Sequence, residues 1–235
     1  MSRLTQGVVL LLFGGAILRA SLTDLYLRYV KEGLRPFLIA TGLLLVAAAV
    51  MTIWHSWRAT EQAEHDHEHH APRVGWLLLL PVLGLLLVAP PALGSYAANQ
   101  AGSVVAAPVG DSDYPPLPAG SSVELTLIDY ASRALFDEGR SLTGRDLRLT
   151  GFLTTAPDGA PMLARIVLSC CAADGRPIKL GLTGLAPIDV PADTWVEVTG
   201  VYTSRRGKDP VNNVDVAYLE VKSWQEVPRP KQPYA

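Results

Sequence analysis

Of 235 residues, 49% are hydrophobic and only 18% charged, a balance too apolar for one ordinary water-soluble domain. Residues 121–235 carry 13 Lys and Arg against 14 Asp and Glu, so no basic surplus exists to neutralise phosphates, and nucleic acid is excluded as a partner. Two cysteines exclude a disulfide scaffold.

The first apolar run, GVVLLLFGGAIL (7–18), extends from about Leu4 to Leu25 and is interrupted by Arg19 and Asp24. Leu18 and Arg19 stand where a signal-peptide cleavage site needs small residues, so the run reads as an anchor. FLIATGLLLVAAAVMTIW (37–54) holds no charge, and as a helix it covers about 27 Å, close to the hydrocarbon thickness of a bilayer. Pro36 suits a first helical turn, and Trp54 and Trp57 suit an interface. A third run, VGWLLLLPVLGLLLVAP (74–90), opens with Trp76 and carries Pro81, a kink that a packed membrane helix tolerates. The sequence thus predicts three spans, at about 4–25, 37–54 and 74–90, within a membrane region covering 1–93.

The loop at 55–73 gathers His65, His67, His69 and His70. Neutral imidazole ligates zinc, nickel or copper, and nearby carboxylates complete such shells. The tract is a candidate for buffering or sensing a divalent metal such as zinc, or else a solvated loop that tolerates histidine. No Lys or Arg occurs from 74 to 132. A segment without positive charge crosses the membrane readily, which places the C-terminal domain on the extracytoplasmic side of a multi-pass cell-membrane protein.

Residues 94–120 are rich in Gly, Ala, Ser and Pro without a period, the composition of a flexible linker that would span about 30 Å. From Ser121 the pattern alternates. SVELTLI (122–128) reads as a strand, and DYASRALFDEG (129–139) as a helix with Asp129 as its cap. Strands follow at 145–155, 161–171, 176–182, 194–203 and 214–224, with Asp-Gly turns at 158–159 and 174–175. Gly151 and Gly200 fall where a barrel bends. The fold class is therefore membrane-anchored α plus β: three helices, then a soluble small OB-like β-barrel over 121–228 and a tail over 229–235, with a β-sandwich as the alternative.

Cys170 and Cys171 are adjacent. Their Cα atoms lie about 3.8 Å apart, below the usual disulfide range, and in a strand their side chains would point to opposite faces. One reading is a buried thiol beside an incidental one. Another is a functional thiol or soft-metal ligand, with Asp174 as the nearby carboxylate. No histidine follows position 70, so no Ser/His/Asp or Cys/His set exists in this region and no enzyme is predicted.

The motifs LTGRDLRLTGFL (142–153), Arg165 ahead of CAAD (171–174), DTWVEVTGVY (193–202) and LEVKSWQEVPRPKQPY (219–234) give the chain a resemblance. It resembles the YcgQ family of bacterial membrane proteins, described as permease subunits. The resemblance singles out Arg165, Cys171 and Asp174, the family pattern fixing only the second cysteine. It implies a multi-spanning permease partner, and a second copy of the chain is a further candidate. The histidine loop is shorter than in relatives and lacks the cysteines and lysines some of them show. The expected function is a membrane-embedded accessory subunit of a two-component permease complex. The alternative is a stand-alone membrane-tethered thiol-redox or metal-binding protein acting through Cys171.

Overall fold

The computed structural model describes residues 3–60, 84, 91–105, 114–118, 120, 122–184, 188 and 190–235, in two compact units, Met1–Pro91 and Ala92–Ala235. The first unit contains α1 (Arg3–Leu22) and α2 (Arg35–Thr60), joined by two short 3-10 turns. Both helices are long and apolar enough to cross a membrane. At 1.5 Å per residue, α1 alone spans about 30 Å. They pair where side chains are smallest. A Cβ on Gly14 would lie 2.9 Å from Val46 Cγ2, and one on Gly42 2.8 Å from Leu18 Cγ, so these glycines permit the close approach. The connecting turn is held by Arg35, whose Nε donates to the Ser21 carbonyl at 3.0 Å while its guanidinium lies over the Tyr26 ring.

Two features differ from the sequence pattern. The first helix stops at Leu22, because the chain turns before Asp24 instead of burying it. The second continues to Thr60, so the opening residues of the expected 55–73 loop are helical. The third expected span, Gly84 excepted, and His65, His67, His69 and His70 lie outside the described residues. Among the described residues two helices are long and apolar enough to cross a membrane, and the expectation of a third falls outside them.

The second unit is a closed five-strand barrel. Its strands are β2 (Asp146–Thr155), β3 (Pro161–Val167), β4 (Arg176–Gly184), β5 (Trp195–Lys208) and β6 (Asp215–Glu226). The order around the ring is β2-β3-β4-β6-β5 and back to β2. The β4–β6 contact is parallel and the other ring pairings are antiparallel. Closure removes the β-sandwich alternative. A short β1 (Ser122–Glu124) pairs in parallel with the start of β2. The expected bend at Gly151 is present: β2 pairs with β5 through Phe152 and with β3 from Phe152 onward. A Cβ at Gly151 would stand 2.7 Å from the Ala164 carbonyl oxygen. Gly200 sits at a register shift between β5 and β6.

Alternate residues of the strands fill the interior. Leu147, Leu149, Leu163, Ile178, Leu180, Val196, Val198 and Leu219 are fully buried, each contributing about 1.5–3 kcal/mol of apolar burial. One end of the barrel is closed by the helix between β1 and β2, which presents Leu127, Tyr130, Ala131 and Ala134 to this core. That helix spans Leu127–Phe136, two residues earlier than the pattern predicts. Thr126, not Asp129, is its cap: Thr126 Oγ1 accepts from the Asp129 N–H at 3.2 Å. Asp129 is freed to pair with Arg133 at 3.0 Å.

The described parts of the expected linker are laid on the barrel. A short helix, α3 (Ser95–Gln100), buries Ala98, and the Asp193 carboxylate accepts from Ser95 N at 2.6 Å and Ser95 Oγ at 2.8 Å. Beyond it, Lys179 Nζ donates to the Ala101 carbonyl at 2.9 Å, and Ser103 N donates to Asp209 at 3.1 Å. Lys179 and Asp209 are themselves paired at 2.9 Å, with 2% and 0% of their side chains exposed. Further along, Arg133 holds the Pro115 carbonyl and Arg145 those of Leu117 and Pro118. Composition gave no sign of this strap, because single polar contacts from distant residues fix it.

Candidate functional site

The strand expected to reach Cys171 ends at Val167. The chain then bends through Ser169 and Cys170 and enters a 3-10 turn over Ala172–Asp174, with Cys171 as its extended cap at φ −150° and ψ 170°. This corrects the opposite-face geometry that a strand would impose. Both thiols instead lie on one loop. The two sulfurs and a carboxylate oxygen of Asp174 are all within 4.8 Å of one another. Cys170 is exposed, Cys171 is half-buried, and both are free thiols.

Asp174 organises this loop. Its Oδ1 accepts from Ser169 N at 2.9 Å, and its Oδ2 from Cys170 N at 2.8 Å and Cys171 N at 3.2 Å. In return the Asp174 N–H donates to the Cys171 sulfur, closing a reciprocal capping box. The Cys-x-x-Asp spacing is the sequence signal for that turn, and alternation alone misses it. Ser169 was likewise missed, since it contributes through its backbone N–H and no side-chain pattern marks it.

Electrostatics bears on the Cys170 thiol. A hydrogen bond to the Asp174 carboxylate, followed by one to Cys171, pushes the Cys170 thiol up to about 11. The same thiol and the loop N–H groups hold Asp174 down to about 2. Reactive redox thiols work the other way, with a depressed pKa in an electropositive setting. A metal ion is a different reagent, because it displaces the proton and binds the thiolate it creates.

The loop rests on a second apolar cluster of Phe152, Ala164, Ile166, Leu168 and Trp195, against which Leu93, Val227 and Tyr234 pack. Gly175 follows Asp174 closely enough to Leu93 that a Cβ would sit 2.8 Å from Leu93 Cδ1. Arg165 belongs to this floor. Its guanidinium lies 5.3 Å from the Trp195 ring centroid and donates to the Thr150 carbonyl at 3.3 Å and the Gln232 carbonyl at 3.1 Å. Burial lowers its pKa from the usual arginine range. Its bonds tie β2 and the tail across β3, a bracing role, and the structure brings together Cys170, Cys171 and Asp174 without it.

The class so defined is a protein with a membrane-competent helical hairpin and a closed five-strand barrel that bears a dithiol–carboxylate loop. A family model described as DUF1980 C-terminal domain, a domain of unknown function, matches residues 124–235 and thus covers the barrel and the loop. No curated protein and no solved structure matches the chain.

Proposed function

We propose that the chain is a membrane-anchored barrel protein that captures a thiophilic metal ion on Cys170 and Cys171 and serves as an accessory subunit of a membrane permease. The observation that carries the metal reading is the gathering of two sulfurs and a carboxylate within 4.8 Å on an accessible loop. Thiolates select soft or borderline ions such as copper(I) and zinc. The strand order with its parallel β4–β6 closure is of OB type, an architecture that hosts many functions and assigns none by itself. The permease partner rests on the resemblance to the YcgQ family. The extracytoplasmic position of the barrel rests on the lack of Lys and Arg from 74 to 132. In this reading the histidine loop lies on the cytoplasmic side and buffers or senses a divalent metal.

Metal content of the purified full-length chain, equilibrated in detergent with one ion at a time, tests the central claim. One equivalent per chain is expected to vanish in the Cys170→Ser/Cys171→Ser variant, while the histidine loop's share remains in both. Equal binding by the two chains for every thiophilic ion refutes it. In intact cells, a membrane-impermeant maleimide is expected to label Cys170 before lysis. Labelling only after lysis would put the barrel in the cytoplasm.

A further inference from the structure

We propose that the thiol loop takes a soft monovalent cation of the copper(I) class, held by the two sulfurs alone, with Asp174 as a positioning residue and not a ligand. This deepens the reading of the loop as a metal centre and rests on it.

The argument is a count of donors. Asp174 has two carboxylate oxygens with roughly four acceptor positions between them. Three are occupied by the N–H groups of Ser169, Cys170 and Cys171. Those bonds give the loop its shape, and the Asp174 N–H completes it on the Cys171 sulfur. A metal–oxygen bond at Oδ2 would compete with the two N–H groups that set the backbone of both cysteines, and one at Oδ1 with the Ser169 N–H that opens the loop. The carboxylate therefore acts as the staple of the loop.

Beyond it the barrel offers little to a soft ion. The chain has two cysteines, and its last histidine is His70. Met162, the sole methionine of the barrel, is buried in β3. The residues packed beneath the loop, Leu93, Ile166 and Leu168, are aliphatic. Zinc in a protein site takes four donors, or three and a water. Two thiolates leave it short by at least one protein ligand. A monovalent d10 ion is saturated by two thiolates, and soft sulfur ligands are the ones that select it. Distance admits it as well: two metal–sulfur bonds laid end to end span about 4.6 Å, and the sulfurs lie within 4.8 Å of one another. Because distance alone would also admit zinc, the donor count decides.

The test uses the full-length chain in detergent under anaerobic, reducing conditions, loaded with one equivalent of copper(I) or of zinc. Competing chelators give relative affinity, and X-ray absorption gives the ligands. Subtraction of the Cys170→Ser/Cys171→Ser chain removes the contribution of the histidine loop. The expected thiol-dependent copper(I) signal shows two sulfur scatterers and no oxygen, and it survives a chelator that strips zinc. Asp174→Asn is expected to weaken copper(I) by about 10–100-fold, as loss of an orienting partner does, with the two-sulfur signature kept. The wild-type spectrum decides even if that variant misfolds. An oxygen ligand beside the sulfurs, or zinc retained through the thiols at least as tightly as copper(I), overturns the inference and leaves the metal centre standing. No thiol-dependent equivalent of either ion overturns both.

Discussion

Replacing Lys179 by Met is expected to remove the cation that closes the strap on the barrel. The ammonium lies 2.9 Å from Asp209 and 2.9 Å from the Ala101 carbonyl, in a site where both charged side chains are almost fully buried. Breaking such a pair from one side leaves an uncompensated charge and costs about 3–5 kcal/mol. Here the lower end, about 3 kcal/mol, is the better figure, since Asp209 keeps the N–H groups of Ser103 and Val211. Denaturant unfolding of the full-length chain, followed by Trp195 and Trp224 fluorescence against single-Trp controls, measures the loss. A Lys179→Met/Asp209→Leu chain should lose less than the sum of its single variants, because replacing both partners leaves no orphaned charge. The pair also predicts a pH dependence. Although burial opposes ionisation, the Lys179 hydrogen bond and the loop N–H groups win and lower the Asp209 pKa. Its contribution is present above the unfolded carboxylate value of about 3.9 and is lost as pH falls through the lower folded value. The acid limb of the stability curve should therefore flatten in Lys179→Met. A stability loss under about 1 kcal/mol, with an unchanged acid limb, would refute the claim that this pair holds the strap.

Arg165→Met keeps an aliphatic stem over Trp195 but loses the bonds to Thr150 and Gln232. It should cost about 1.5–3 kcal/mol, with hydrogen exchange at Ala235, whose N–H bonds Ile166, rising first. Thr126→Ala removes the cap of the helix at Leu127–Phe136 and should cost about 0.5–2 kcal/mol in the same unfolding assay. In the membrane unit, Gly14→Leu forces a side chain against Val46 and should loosen the α1–α2 pair by about 1–3 kcal/mol in an SDS titration. Gly15→Leu, with nothing within 4 Å of its Cβ, should leave the pair unchanged.

Much of the barrel is legible in the sequence because period-2 burial is written residue by residue. Leu147, Leu149 and the Gly151 bend all fall where alternation puts them. The Asp-Gly turn at 158–159 is legible too: Gly159 has φ +83° and Ala160 N donates to Asp158. The same dipeptide at 174–175 misleads. Gly175 has φ −56°, so it is no left-handed turn residue, and it is small because Leu93 presses on it. The strap was illegible for a related reason. Its hold comes from Asp193, Asp209 and Lys179, each roughly 75–110 residues away along the chain. A stretch poor in large side chains carries no period that could announce a partner so distant. For the cysteines, composition named the residues, but their geometry depended on where β3 stops. That is set by the Cys-x-x-Asp capping turn outcompeting one more pair of strand residues.

The spacing of the sulfurs therefore belongs to the tertiary fold and not to the local motif alone. A peptide of residues 167–175 contains the whole capping box, yet it lacks Leu93 beneath Gly175 and Ile166, which the tail grips through Ala235. In such a peptide the loop must be ordered at the moment of metal binding, and fixing each backbone residue costs about 1–2 kcal/mol. In the folded chain the strap, β3 and the tail have already borne that cost. The peptide should hence bind thiophilic metal more weakly than the intact chain, by an amount that grows with the number of loop residues the barrel orders. Arg165→Met, which frees the tail from one side of this floor, should fall between the two. If peptide and intact chain bind equally, the barrel contributes nothing to the site, and the floor beneath the loop serves stability only.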